Sequence, residues 1–593
     1  MTNRRCLSLM AGIALILVLF SCASRGVLEG GKKDENPPRI LKENPTNNSI
    51  NFNKNKLNIY FNEFVTLDGV AEKFIISPPQ KKKPRVRERG KRILIQFVDT
   101  LKPNTTYSLD FGGSITDFTE GNPLKDYRYS FSTGNHIDTM RMGGHVYDSY
   151  SKKPVENAFV MLYNKNAADS VPMKKLPLYL ARTDSTGYFA ITNIKNGEYK
   201  AIALKDLDKN YMFSSSKEAI AFNDSIYKTI AFPVVVNDTI FKKDTTKIDT
   251  IIKRNATAFG PEDINLFLFT EKETNQYLVD ASRTDRYSLN FRFAIERKGS
   301  FKCKFLSVDK DESVFLKERS ITNDTLKYWI KDPEVYNLDS LKIELSYWRT
   351  DSLGRLAKFK DTVDFDYEDE EILLKHKKPK KGKKAPINYL KVKYNFASMI
   401  DPDSKLNILF EEPIKENLDS LIKVQRVVND SVFVNEKLTI LRDSLNVRKY
   451  YLDFPFKAGE RYKLCADSAS IHSLYGRFIN KIKKEFSVDK NETYATCDVS
   501  IKNAAYPAIL NLYTKNGKDI KIHKTLFINK DGKYTFKYIK PGTYFLMMIH
   551  DKNNNGIWDT GKYIDRIQPE NVFYLDKEIK VRENWEYSEE WLF

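Results

Sequence analysis

The chain has 593 residues, and its 97 Lys and Arg against 78 Asp and Glu leave a formal net charge of +19. At roughly 100–200 residues per domain, this length predicts about three to six domains. The 41% hydrophobic share supports packed cores and excludes wholesale disorder. No apolar run reaches the ~20 residues of a spanning helix, which excludes a polytopic membrane protein. The charge excess by itself fits nucleic acid, anionic lipid and plain solubility equally well.

The first residues form an address. Arg4 and Arg5 precede the apolar stretch 7–20, and Leu19-Phe20-Ser21-Cys22 follows at once. This is the order of a secretory signal peptide and not of a folded element. A small residue directly before a cysteine at the end of the apolar stretch resembles the lipobox of bacterial lipoproteins. The resemblance implies a signal peptide over 1–21, with Cys22 as the mature N-terminus carrying palmitate-like acyl chains, each buried CH₂ adding about 0.8 kcal/mol. The alternatives are an ordinary signal peptide with an incidental cysteine, or an uncleaved anchor. Once Cys6 leaves with the signal, Cys303, Cys465 and Cys497 remain beside Cys22. Three thiols form at most one disulfide, and their spacing matches no zinc pattern.

A tether, 22–38, ends at Pro37-Pro38, and short alternating runs follow. Leu57, Ile59 and Phe61 share one face of a half-buried strand. Nearly the same run recurs as Leu406-Asn407-Ile408-Leu409-Phe410. Residues 101–133 align without gaps to 456–488, with Lys102/Lys457, Tyr107/Tyr462, Leu109/Leu464, Gly121/Gly476 and Phe131/Phe486 coinciding. A second unit also repeats, 187–206 aligning to 532–551 through Gly187/Gly532, Gly197/Gly542 and Tyr199/Tyr544. In that unit glycine turns separate strands with alternating aromatics. The predicted order is one domain at 39–134, another at 138–225, a linker at 226–261 and a middle β-domain at 262–370 that opens on the strand-like Ile264-Asn265-Leu266-Phe267-Leu268-Phe269. A Lys-rich linker at 371–386 leads to the two repeats, at 387–488 and 492–593.

The strand LNIYFNE, the turn LKPNTTYSL and the FSTG exit of the first unit resemble the SbsA-type bacterial Ig-like domain. GHVYDSYSKKPVENAFVMLY followed by TDSTGYFAITNIKNGEY is similar to carboxypeptidase-regulatory or transthyretin-like domains. The second unit departs from that pattern in an Asn/Lys/Pro insertion over 164–177, and the repeat at 387–488 lacks the FSTG ending. Paired behind a lipobox, these units resemble outer-membrane lipoproteins of Bacteroidota-type bacteria. The implied fold is all-β: tandem Ig-like and transthyretin-like sandwiches on an N-terminal lipid anchor. Such domains serve as spacers and binding platforms, so the resemblance speaks to architecture more than to activity.

The chain carries no nucleophile elbow, no zinc-protease helix motif, no phosphate-cradling glycine loop and no dinucleotide fingerprint. Its six histidines stand singly. No catalytic residues are assigned and no cofactor is expected, a structural calcium ion excepted. In the segment 551–561, Asp551, Asn553, Asn555, the Ile557 carbonyl and Asp559 alternate before glycine as in a cation loop. Lys562, however, stands where a bidentate glutamate belongs, and Asp and Asn also cap plain turns. Both readings stay open.

Two basic runs concentrate charge. Lys81, Lys82, Lys83, Arg85, Arg87, Arg89, Lys91 and Arg92 lie in the first domain, with Arg85, Arg87 and Arg89 expected on one strand face; 375–384 is the other run. They suit an anionic glycan, lipopolysaccharide or an acidic partner, or else are simply solvated. Nucleic acid is not an expected partner of an exported chain whose lysines lack interleaved aromatic rings. Repeated Asp-Ser/Thr-apolar triplets resemble O-glycosylation acceptors, with Thr239, Thr250, Thr325, Ser340 and Ser444 as attachment points; the alternative is turn-to-strand chemistry.

The reading is a non-catalytic outer-membrane lipoprotein, membrane-held through its lipid, that binds other envelope proteins as a scaffold. Its rivals are an accessory subunit of an outer-membrane assembly, export or uptake machine, a surface glycan-binding or adhesive protein, and an enzyme using the middle domain. Lys33-Asp34-Glu35 resembles surface-export signals and points to the cell surface, with the periplasmic face left open.

Overall fold

The computed structural model describes residues 34–241, 248–367, 387–429, 432–517 and 519–593. Cys22, the signal segment 1–21 and the Lys-rich linker 371–386 lie outside the described residues. The fold is all-β, built of tandem sandwiches, and helix is confined to turns of three or four residues among the described residues. The chain forms two compact units: Met1–Tyr147, Lys153–Ser214 and Ile220–Leu268 in one, Asp148–Lys152, Ser215–Ala219 and Phe269–Phe593 in the other.

In the first unit the alternating run becomes the strand Lys56–Phe61, which pairs with Ile40–Asn44 on one side and Arg92–Gln96 on the other. Arg85–Glu88 completes this four-stranded sheet, and Ile75–Ser77, Thr106–Asp110 and Arg128–Ser132 form the facing one. Leu57, Ile59 and Phe61 point into the space between the sheets and are at most 2% exposed. Full burial of each such side chain is worth about 1.5–3 kcal/mol. The Tyr107 hydroxyl accepts from the Lys102 N–H at 2.9 Å while its ring stacks on Phe131, centroids 5.3 Å apart. An apolar ring with one satisfied polar tip ties a turn to a core.

The next sandwich centres on an eight-stranded sheet in which Met140–Asp148 lies between Tyr188–Ile194 and Ile264–Thr270. The run 264–269, expected to open the middle domain, is thus the closing strand of the second. Periodicity identifies a strand but not its neighbour, and here the neighbour is chosen by Gly144. A Cβ at Gly144 would stand 1.9 Å from the Ile264 carbonyl oxygen, so only glycine admits this approach. The stretch 226–261 is also not a plain linker. Ile230–Phe241 and Ile248–Gly260 pair antiparallel as a two-stranded ribbon inserted before that closing strand. Its β-branched residues, Val234 to Val236 among them, favour strand despite the Thr, Asp and Lys that surround them.

In the second unit a four-stranded sheet, in the order Leu278–Asp285, Ser288–Phe293, Thr325–Ile330 and Phe315–Arg319, faces Lys302–Phe305, Ser340–Thr350 and Leu356–Asp366. The next sandwich repeats the first domain strand for strand in one sheet: Val392–Tyr394, Leu406–Phe410, Lys449–Asp453, Thr439–Arg442. Its tyrosine repeats as well. The Tyr462 hydroxyl accepts from the Lys457 N–H at 2.8 Å, and its ring stacks on Phe486 at 5.8 Å. In the last sandwich Glu586–Leu592 pairs parallel with Ala495–Lys502 and buries Trp591. That closing strand holds the place that Ile264–Thr270 holds in the second domain, here with no ribbon before it.

Neighbouring sandwiches within each unit are joined by side chains. Between the middle domain and the second Ig-like sandwich, Arg448 makes two bonds to Glu318, at 2.9 and 3.1 Å, and lies over the Trp329 ring. Tyr475 stacks on Tyr287 at 3.9 Å. Cys303 and Cys497 are buried free thiols and Cys465 a half-buried one. Burial pushes the Cys497 thiol up to about 12, which keeps it protonated and inert.

Candidate functional site

The basic run of the first domain is divided by its own fold. Arg85 and Arg87 share the exposed edge strand Arg85–Glu88, while Arg89 falls in the turn beyond it, where its N–H donates to the Arg92 carbonyl at 2.7 Å. Lys91 is drawn onto the Phe64 ring and Arg92 onto Tyr60. Lys82 donates its backbone N–H to Asp99. Lys81 and Lys83 face elsewhere, into a cleft of about 1030 Å³ formed with the second domain.

Several bonds hold the two walls of this cleft together. The Leu180 N–H donates to Ser77 Oγ at 3.1 Å, Arg182 donates to the Glu72 and Lys73 carbonyls, and Lys195 Nζ reaches the Asn104 carbonyl at 2.8 Å. Lys102 lines one wall, carried by the turn that Tyr107 braces. Lys174 and Lys175 come from the other, on the insertion whose short turn Val171–Met173 buries Pro172. Lys209 also lines the cleft and pairs with Glu72 at 3.0 Å. That hydrogen bond and charge hold the Glu72 carboxyl below its usual range. Among the described residues, Lys81, Lys83, Lys102, Lys174 and Lys175 form no ion pair, and Asp99 is the one carboxylate in the lining.

Tyr211 forms a further part of the lining. Its backbone is left-handed, φ 60°, a costly conformation for a bulky residue, and Asp206 holds it by accepting from the Tyr211 N–H at 2.8 Å and the Lys209 N–H at 2.7 Å. Burial, with Asp206 nearby, pushes the Tyr211 phenol up to about 12. Lys83 Nζ sits 4.7 Å from the centre of this ring. Desolvation there lowers the Lys83 ammonium from its usual range, with Asp206 opposing and Lys209 adding to the shift. Gln80 is 8% exposed, and neither its Oε1 nor its Nε2 has a hydrogen-bond partner. Both amide atoms are shut off from solvent, so they sit behind the cleft wall and not on its surface.

Gln80, Lys102, Lys174, Lys175, Lys209 and Tyr211 escape a reading of the sequence because they lie up to 131 positions apart and converge only through the domain junction. The one local signal is the lysine pair inside the 164–177 insertion.

The Asp551 loop is a cage of hydrogen bonds. Asp551, 2% exposed, accepts from the Asn555 N–H at 3.0 Å and the Gly556 N–H at 2.8 Å. Asn553 and Asn555 both donate their amides to Asp559 at 2.6 Å, and Lys272 also binds Asp559. Although burial opposes it, these donors hold the Asp559 carboxyl below its usual range. Ile557 donates its N–H to Asn555 Oδ1 at 2.9 Å. Glu570, absent from the sequence-based set, closes the cage by accepting from the Lys552 and Asp559 N–H groups. A cation here would have to displace Lys272 and both asparagine amides. Gly556 is left-handed at φ 78°, as Tyr211 is at the matching place in the second domain, so the two loops share a turn and only one has the residue best suited to it. Asp551→Ala leaves the half-buried Gly556 N–H without its acceptor, and the expected cost is about 1–2 kcal/mol in urea unfolding of the full chain. Asp551→Asn, which keeps one acceptor oxygen, should cost clearly less.

Of the Asp-Ser/Thr positions, Thr250, Thr325, Ser340 and Ser444 are exposed, and Thr239 lies in the strand Ile230–Phe241. Thr325 and Ser340 each begin a strand. The preceding carboxylates shape turns: Asp324 accepts from Ser320 Oγ, and Asp443 from the Leu445 and Asn446 N–H groups.

Residues 34–133 match the family described as a bacterial Ig-like domain, which covers the first sandwich. No curated protein matches the chain. Among solved structures, similarity extends to a variant of BcpA, the major pilin subunit of Bacillus cereus, at 11% identity over 76% of this chain and 99% of that one, TM-score 0.13. The S-layer protein SbsC is 9% identical over 92% of this chain and 67% of that one, TM-score 0.15. The α2-macroglobulin of E. coli is 10% identical over 88% and 41%, TM-score 0.13.

Proposed function

We propose that this chain is a non-catalytic lipoprotein of the bacterial outer membrane, held by acyl groups on Cys22 and acting as a scaffold that presents binding faces to other envelope proteins. The observation that carries this reading is the repeated architecture. Two Ig-like sandwiches keep the same tyrosine corner, through Tyr107 and Tyr462, and junctions within each unit are secured by buried side chains such as Glu318 and Ser77. Serial sandwiches joined in this way position surfaces, and loop ends and side faces are left for recognition. The Ser21-Cys22 order after an apolar stretch supports the anchor, and the +19 charge supports residence beside an anionic membrane.

The full chain, extracted in mild detergent from bacteria that express it, is expected to co-elute with an envelope protein in stoichiometric amount, identified by mass spectrometry. Recovery of the chain alone under every gentle extraction condition would overturn the scaffold reading. The same reading places glycans on the exposed Asp-Ser/Thr sites. Intact mass spectrometry should then show sugar-sized increments that shrink in Thr325→Ala and Ser340→Ala, and a mass equal to polypeptide plus lipid would remove them.

A further inference from the structure

The first Ig-like sandwich has one outer sheet face covered and one open. Ser77, Thr106, Ser108, Ser130 and Ser132 point outward from the sheet of Ile75–Ser77, Thr106–Asp110 and Arg128–Ser132. None is more than 7% exposed, because the second domain lies against them; Ser130 Oγ donates to Asn193 at 3.0 Å. The outer face of the opposite sheet is open to solvent. Its register sets Lys42 opposite Tyr60 and Tyr60 opposite Arg92. Asn44 stands in line with Asn58, Leu94 and Arg87, and Lys56 in line with Gln96 and Arg85. All of them are exposed or half-buried, alternating with Leu57, Ile59, Ile93 and Ile95, which fill the core. The face thus carries five cations, three amides, a tyrosine and a leucine, and no carboxylate. Among the described residues none of the five cations has an ion-pair partner. An open depression of about 490 Å³ at the Asn44 end adds Lys54.

The fold does not require this charge. The repeated sandwich has the same strand order, but Thr439 and Leu441 stand at the places of Arg85 and Arg87, and Asp453 at that of Gln96. Lys449, at the place of Arg92, pairs with Asp443 at 3.6 Å.

Charge of one sign spread over an open face suits an extended anionic surface better than a small ion. The chain itself indicates which surface. The tether 22–38 runs into Ile40–Asn44, the edge strand of this same sheet and the carrier of Lys42. Cys22 and Asp34 are 12 residues apart, which is at most about 43 Å of extended chain. A bilayer held that close meets the face at high effective concentration, and each Lys or Arg beside anionic headgroups adds attraction.

We propose that the outer face of this sheet docks on the phosphate headgroups of the bilayer that holds the chain, laying the first sandwich against the membrane. This rests on the lipid-anchor reading above and names the surface that meets the lipid.

The test uses the natural acylated chain, reconstituted from mild detergent into vesicles of phosphatidylcholine alone or with phosphatidylglycerol at three to one. Acetylation by a water-soluble amine reagent is read by peptide mass spectrometry at Lys42 and Lys56. Lys393 and Lys405, the exposed matching lysines of the repeat, serve as the control. Lys42 and Lys56 should react at least about fivefold more slowly on the anionic vesicles than on the neutral ones, and the control lysines equally on both. The contrast should vanish at about 0.5 M salt. Arg85→Gln combined with Arg87→Gln should cut it to about twofold or less. Equal reaction of Lys42 and Lys56 on both kinds of vesicle, with the chain anchored in each, overturns docking and leaves the anchor standing. Failure of the chain to float with neutral vesicles removes the anchor itself, and docking with it. Polygalacturonate that slows Lys42 and Lys56 on neutral vesicles as much as phosphatidylglycerol does would make the face a glycan site and overturn the membrane assignment.

Discussion

Arg448→Ala is expected to destabilise the junction between the middle domain and the second Ig-like sandwich by about 3–5 kcal/mol. The Glu318 side chain is 6% exposed and the Arg448 side chain 18%. The guanidinium makes two bonds to this carboxylate, donates to the Glu411 carbonyl at 3.2 Å and covers the Trp329 ring at 5.1 Å. Removing it strands a nearly buried charge in a site that water reaches poorly, which costs more than the pair itself contributes. The double change Glu318→Leu with Arg448→Met removes both charges and should recover much of the loss. Trp329, 2% exposed at this junction, gives the readout. Its fluorescence should shift at lower urea in Arg448→Ala. A chain of several domains need not unfold in one step, so this local probe is preferable to a global melting temperature.

Gly144→Ala is expected to disrupt the second sandwich outright, and Gly143→Ala to be far milder. At Gly144 the new Cβ meets backbone, the Ile264 carbonyl oxygen at 1.9 Å and its carbon at 2.7 Å, and no rotamer change relieves that. The strand Ile264–Thr270 would have to part from Met140–Asp148, at a cost of about 4 kcal/mol or more. At Gly143 the nearest atom is Glu262 Oε2 at 2.2 Å, the far end of a flexible side chain. That carboxylate gives up contacts with Arg141 and Tyr188, each 2.8 Å away, but the ladder survives. Amide hydrogen exchange across 140–148 checks the contrast: protection should collapse in Gly144→Ala and persist in Gly143→Ala. Equal protection in both would show that the strand is not held where we place it.

The same region marks how far sequence reasoning reaches. Leu57, Ile59 and Phe61 turn inward as their alternation demands, because a period of two is imposed by the pleat itself. Tyr107 and Tyr462 form the same bond because the turn and the strand that make it sit next to each other in the chain. By contrast, the alternation in 264–269 carries no information about which strand lies beside it, and the deciding feature, Gly144, is 120 residues earlier. The ribbon was hidden by composition: pairing of Ile230–Phe241 with Ile248–Gly260 satisfies the backbone whatever polar side chains flank it. The basic run is similar. As a string it reads as one patch, whereas the fold sends Lys81 and Lys83 to the cleft, spreads Arg85 and Arg87 along an edge and pins Lys91 and Arg92 to aromatic rings. Gln80 could not have been singled out by any pattern, since an orphaned amide exists only once its surroundings are known.

The proposed tie of this scaffold to the outer membrane rests on one residue, Cys22. The most direct measurement is the intact mass of the chain recovered from separated membranes, compared between the natural sequence and Cys22→Ala. Anchorage through Cys22 predicts a natural chain in the outer-membrane fraction that lacks residues 1–21 and carries acyl mass on Cys22, and a Cys22→Ala chain that is neither acylated nor found there. An outer-membrane chain that retains residues 1–21, or one without lipid, would contradict it.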